Sequence, residues 1–355
     1  MKSFYLKGLN SYRAFAAFVV VVGHIEIFKQ KHNFNNLLHL SFFKYTGQHI
    51  SVILFFALSG FLITTLLLHE KQNKGFINVK QFYLRRIFRV WPLYYLILLL
   101  SYLLLSYSPS LRTTLLCVTI FPNIAHAIGI GWVASPPVWS IGVEEQFYIG
   151  WPLVVKHVNK LLIILVVLFI ILTLLPHVLT PLLLKLNVPI HTVTNISAIF
   201  YGTKFNCMIV GGIVAVLYNK KHLLIQLLNY TTGIAYGFVI LPFVLWFSGY
   251  HINYFTDELY AILFSISIVN ISTNTNIVNI DFKPINYLGK ISYGIYMYHW
   301  IVLELLFKLS FFQTEHHSSF NAVLYGAVFG ITICIAALSY QFIEQPLLSW
   351  KERLN

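Results

Sequence analysis

The 355-residue sequence predicts an all-α fold, a polytopic transmembrane helical bundle of about ten spans with both termini cytoplasmic. Three observations carry that prediction. Hydrophobic residues make up 58% of the chain and charged residues only 10%, far less charge than a soluble domain of this length needs to cover its surface. Apolar runs of about 20 residues, the length that crosses a hydrocarbon core, recur from end to end. Lysine and arginine collect in alternate loops, as the positive-inside rule requires.

The spans are expected at 10–28, 47–68, 88–107, 137–155, 161–180, 196–218, 230–248, 258–273, 287–311 and 321–343. The first run has no small-residue cleavage site and is followed by many others, so it reads as helix one and not as a removed leader. The stretch 113–130 is apolar but short and is interrupted by Pro122, Asn123 and His126; a half-buried or re-entrant segment is expected, with an eleventh span as the alternative. This placement puts Lys2, Lys7, Lys71, Lys74, Lys80, Arg85, Arg86, Arg89, Lys156, Lys160, Lys220, Lys221, Lys283, Lys290, Lys351 and Arg353 inside. Only Lys29, Lys31, Lys44, Arg112 and Lys185 fall outside, so the loop 69–82 is expected in the cytoplasm and 312–320 on the outer side. The net charge of +13 is therefore largely topological, and no nucleic-acid-binding motif accompanies it. Cys117, Cys207 and Cys334 are scattered and show no metal-ligand or disulfide spacing. Without a linker, low-complexity tract or repeat, residues 1–355 read as one integral domain.

Ionisable groups inside spans are costly and mark functional candidates. Arg13 and His24 are eleven residues apart, which returns the helix to within about 20° and separates them by roughly 16 Å along one face. A snorkelling arginine and a satisfied core histidine are the plain alternative. In "PPVWSIGVEEQFYIGWPL" the adjacent Glu144 and Glu145 lie mid-span, about 100° apart, so one can face a cavity while the other binds a neighbouring helix or pairs with Lys204 or Arg13. Ser140 sits one turn from Glu144. His299 lies mid-span in "LGKISYGIYMYHWIVLELL", where Tyr293, Tyr296 and Tyr298 read as bundle contacts. Glu344 reads as structural, at the cytoplasmic end of the last span. Arg85, Arg86 and Arg89 have spacings of three and four that let them share a helical face and grip an anion, against the plain role of a positive-inside anchor. Ser59 and Gly60, in "FFALSGFLIT", allow close helix approach or room for a slender ligand.

Taken in order, these segments resemble the acyltransferase family 3 membrane proteins. The residues that carry the resemblance are Arg13 with His24, "SGFLI" at 59–63, Arg86 with Arg89, "WSIGVEEQFY" at 139–148, "ISYGIYMYH" at 291–299 and "IEQP" at 343–346. The resemblance implies an integral protein of a bacterial cytoplasmic membrane that moves an acyl group, expected to be acetyl, from acyl-coenzyme A to a hydroxyl of a surface polysaccharide, lipopolysaccharide or peptidoglycan. It implies a catalytic His24, coenzyme A binding by Arg86 and Arg89 with Arg13, Arg85, Ser59 and Gly60 nearby, and a reaction centre near Glu144 or Glu145. His24 is then the general base, its imidazole oriented by one of these carboxylates, and Ser140 and His299 are candidate acyl relays. Acetyl-coenzyme A is the implied donor, no metal is implied, and a carbohydrate acceptor and membrane lipid are the implied partners. Some members append an extracytoplasmic hydrolase-like domain; this chain ends soon after Trp350, so the expectation is a bare membrane domain or a separate extracytoplasmic partner. A proton-coupled secondary transporter using the same intramembrane charges is the competing reading.

Overall fold

The computed structural model describes residues 6–228, 231–312 and 319–352, with side chains up to 349 and none at 228. Among them there is no strand. The helices are α1 (Leu9–Lys31), α2 (Gly47–Lys74), α3 (Val79–Leu104), α4 (Leu111–Val118), α5 (Pro122–Ala127), α6 (Val138–His157), α7 (Leu161–Lys185) and α8 (Ile190–Thr203). Then come α9 (Phe205–Asn219), α10 (Leu223–Leu228), α11 (Thr232–Ser248), α12 (Thr256–Thr273), α13 (Lys283–Lys290), α14 (Ser292–Leu306), α15 (Phe320–Ser339) and α16 (Gln345–Glu352).

Among the described residues seven helical segments are long and apolar enough to cross a membrane: α1, α2, α3, α7, the pair α8 and α9 taken together, α12, and α15 with its extension. α11 is a shorter apolar helix. The other two expected spans fall on α6, which holds Glu144 and Glu145, and on α13 with α14, which holds His299. Two expected spans are broken: α8 and α9 meet at Lys204, whose φ is +48°, and α13 and α14 meet at Ile291. The stretch 113–130 falls on α4 and α5, of 8 and 6 residues, too short at 1.5 Å per residue to cross. Lys2, Arg353 and most of the loop 312–320 lie outside the described residues, as does the side chain of Lys351.

Loop contacts gather at two ends of the bundle. At one end the Lys7 ammonium reaches the carbonyls of Asn274 and Ile277, Lys71 reaches those of Val155 and Lys156, and Gln72 pairs with Asn219. At the other, Tyr45 stacks on His251 with ring centroids 4.1 Å apart.

Two features fix the helices that hold the site. Asp281 caps α1: its carboxylate accepts from the backbone N–H groups of Gly8 (2.7 Å) and Ser11 (3.1 Å) and from the Ser11 hydroxyl (2.6 Å), satisfying donors that a helix N-terminus otherwise leaves open. α2 and α9 cross at glycines that meet each other's backbone. A Cβ on Gly60 would stand 1.8 Å from the Met208 carbonyl oxygen, and one on Gly211 would stand 2.2 Å from that of Ala57. Small residues permit this approach where lipid offers no hydrophobic drive between helices.

Candidate active site

Three cavities line up along the bundle. The inner chamber, of about 90 Å³, is lined by Arg13 from α1, Ser59 from α2, Arg86 and Arg89 from α3, and Ser140, Glu144 and Tyr148 from α6. A mouth cavity of about 280 Å³, beside Lys74, His69 and Arg85, shares Arg86 with it. An outer chamber of about 530 Å³ contains His24 and shares Val52 and Tyr296 with the inner one. Six expected residues from four separate helices thus converge on one small space, with His24 in the space beside it.

The inner chamber holds three guanidiniums against one carboxylate. Glu144 accepts from the Ser59 hydroxyl (3.0 Å) and from the Tyr148 hydroxyl (3.1 Å). None of the three arginines makes an ion pair among the described residues. Arg86 is held between the rings of Phe82 and Tyr148, 5.7 and 5.4 Å from their centroids, and its Nε is buried without an acceptor. Buried charge left unpaired is strongly destabilising, so this constellation fits a chamber completed by an anion.

Several expected residues sit elsewhere. Glu145 faces away from the chamber and accepts from the indole N–H of Trp91 at 2.8 Å. Arg85 points into the mouth cavity, 3.5 Å from Glu70. Gly60 lies in the α2–α9 crossing and lines none of the three cavities. Lys204 pairs with Asp257 (2.5 Å) rather than with a carboxylate of α6. Glu344 makes no direct ion pair among the described residues. Ser140 shares a hydrogen bond of 2.7 Å with the Tyr296 hydroxyl at the boundary between the chambers.

The partner of His24 differs from the one expected. Its Nδ1 lies 2.7 Å from Nε2 of His299, the two rings within 3° of parallel, while neither Glu144 nor Glu145 bonds to it. The other nitrogen of the fully buried His299, Nδ1, has no hydrogen-bond partner among the described residues. If His299 is protonated on that side, its Nε2 accepts from His24 Nδ1–H, and His24 Nε2 is left as a free base. Sequence reasoning missed this pair as a unit. It also read Tyr296 as one of three bundle tyrosines; Tyr293 and Tyr298 do bond to Val90 and Ser339, but Tyr296 lines both chambers. His49 and Asp257, 2.9 Å apart, gave no sequence signal beyond lying at span ends.

The acyltransferase-domain family model matches residues 6–341, and the chain belongs to that acyltransferase family. It is similar to the peptidoglycan O-acetyltransferase OatA of Listeria monocytogenes, 28% identical over 345 residues covering 87% of this chain and 53% of that protein. It is likewise similar to the O-acetyltransferase OatA of Staphylococcus aureus, 26% identical over 376 residues covering 97% of this chain and 57% of that protein. The chain spans about half the length of the curated relatives it matches. No solved structure matches it.

Proposed function

We propose that the chain is a membrane-embedded O-acetyltransferase which takes an acetyl group from cytosolic acetyl-coenzyme A and gives it to a hydroxyl of a cell-wall glycan such as peptidoglycan. The observation that carries the reading is the unpaired cluster of Arg13, Arg86 and Arg89 in a chamber joined to the space that holds His24. The phosphates of coenzyme A suit the arginines of the mouth and inner chamber, because guanidinium forks pair with phosphate oxygens. The pantetheine arm runs inward past Arg86, and the thioester lies near Tyr296 and Ser140. His24 Nε2 takes the acceptor's hydroxyl proton as its oxygen bonds to the acyl carbon; the C–S bond breaks and the thiolate leaves. His299 orients His24 and stabilises its charged form, the role first expected of a carboxylate. Glu144 instead fixes the inner chamber's polar wall. Ten crossings with cytoplasmic termini fit this direction of transfer, with the arginines towards the cytosol and His24 towards the outside. Family membership favours acyl transfer over the transporter reading.

The test is binding and turnover of acetyl-coenzyme A by the purified chain, with and without peptidoglycan fragments. Release of coenzyme A with acetyl appearing on the glycan is the expected result. No donor binding at millimolar acetyl-coenzyme A would defeat the proposal.

A further inference from the structure

The outer chamber is built unlike the inner one. Two indoles, Trp139 and Trp300, offer it flat apolar surface; Lys204 and Gln48 offer it donors, and His49 a ring nitrogen. Asp257 holds Lys204 and His49 in place, accepting from the first at 2.5 Å and the second at 2.9 Å. Lys204 reaches that position only because the chain turns through a left-handed conformation there, φ +48°, which a residue with a side chain adopts at a cost of order 1 kcal/mol. Gln48 is pressed onto α1 beside His24, where a Cβ on Gly23 would meet its Oε1 at 2.6 Å. Its carboxamide makes no hydrogen bond among the described residues. The chamber's volume of about 530 Å³ lies within the usual 300–1,000 Å³ of small-molecule sites.

Each feature narrows the occupant. An acyl chain would call for apolar walls throughout, and the donor's phosphates have the arginines. A pyranose ring has two apolar C–H faces and a rim of oxygens, which match aromatic surface and converging donors. No carboxylate lines the chamber, and the one behind its wall is bonded to both Lys204 and His49, so an ammonium group entering would find no counter-charge.

We propose that the outer chamber is the acceptor site, taking one pyranose unit of a neutral or acidic glycan between Trp139 and Trp300, with Lys204 donating to its oxygens and the free ring nitrogen of His49 accepting from one of its hydroxyls, so that another hydroxyl meets His24. This rests on the reading of the arginine chamber as the donor site. Sugars bearing free amines are rejected.

The experiment uses the full chain in lipid nanodiscs with acetyl-coenzyme A and three probes: chitotetraose, the disaccharide of N-acetylglucosamine and N-acetylmuramic acid, and the de-N-acetylated tetramer. O-acetylation is read by mass spectrometry and donor affinity by calorimetry. Transfer is expected to at least one of the first two probes, at least tenfold more efficiently than to the amine-bearing tetramer. Lys204→Gln and Trp139→Leu should raise the glycan KM at least tenfold while acetyl-coenzyme A affinity stays within twofold. If either variant fails to fold, Ala198→Trp, which fills the chamber from α8 without touching the ion pair, should abolish transfer and keep donor affinity. Unchanged glycan KM in these variants, or no transfer by the wild-type chain to the neutral and acidic probes while donor binding is intact, overturns the assignment. Unchanged donor affinity in Arg89→Ala would instead defeat the donor reading, so the two failures are distinguishable.

Discussion

Removing His24 should separate proton transfer from donor binding. A general base contributes about 10²–10⁴-fold, so His24→Ala is expected to lose at least two decades of acetyl transfer. Its donor affinity should survive, because the residue lines the outer chamber and not the arginine-lined one. On the proposed mechanism His299 acts through its 2.7 Å bond to His24. A hydrogen bond to a group that becomes charged is worth about 1.5–3 kcal/mol, which is roughly one to two decades of rate. His299→Phe should therefore cost about 10- to 100-fold, and His299→Gln, whose amide oxygen can accept from Nδ1–H, should recover part of that. The double variant His24→Ala with His299→Phe should be no slower than His24→Ala alone, since groups that work as a unit are not additive. Stopped-time transfer assays and calorimetric donor titrations on the same purified preparations make the comparison. Near wild-type turnover in folded His24→Ala, or multiplicative losses in the double variant, would refute the dyad.

Arg89→Ala should weaken acetyl-coenzyme A binding by about one to two decades, whereas Arg85→Ala, already 3.5 Å from Glu70, should cost less; equal effects would contradict the separate cavities. Gly60→Ala sets a methyl group 1.8 Å from a backbone oxygen and should destabilise the bundle by about 1–3 kcal/mol, while Gly150→Ala, with nothing within 4 Å, should be neutral or slightly stabilising; thermal unfolding in detergent reads both. In a background lacking the exposed Cys334, a membrane-impermeant thiol reagent applied from outside should label Tyr254→Cys and spare Asn73→Cys. The reverse pattern would invert the orientation.

What was legible in the sequence was periodic or local. Twenty-residue apolar runs marked the helices, the eleven-residue spacing put Arg13 and His24 on one face, and the 100° step between Glu144 and Glu145 foretold that one carboxylate would face the cavity and the other a neighbouring helix. The pairing of His24 with His299 was not legible, because it joins positions 275 residues apart and nothing in either helix alone encodes its neighbour. Lys204 and Asp257 escaped for a related reason. Lys204 falls inside the expected span 196–218 and was matched to a carboxylate of the fourth span, while Asp257, just outside the span at 258–273, read as a loop charge until a left-handed break brought the two together. Gly60 was read with its alternatives open, and the crossing with Gly211 shows it as a packing glycine.

The Asp281 cap bears on the order in which the protein is made. The carboxylate that closes the start of α1 lies 273 residues further along the chain than the Gly8 N–H it receives. The helix carrying Arg13 and His24 therefore leaves the ribosome well before Asp281 but gains its N-terminal closure only once that residue has been synthesised. Until then its opening turn depends on water or headgroups for its hydrogen bonds, and the site's first helix is not closed before residue 281 has joined it.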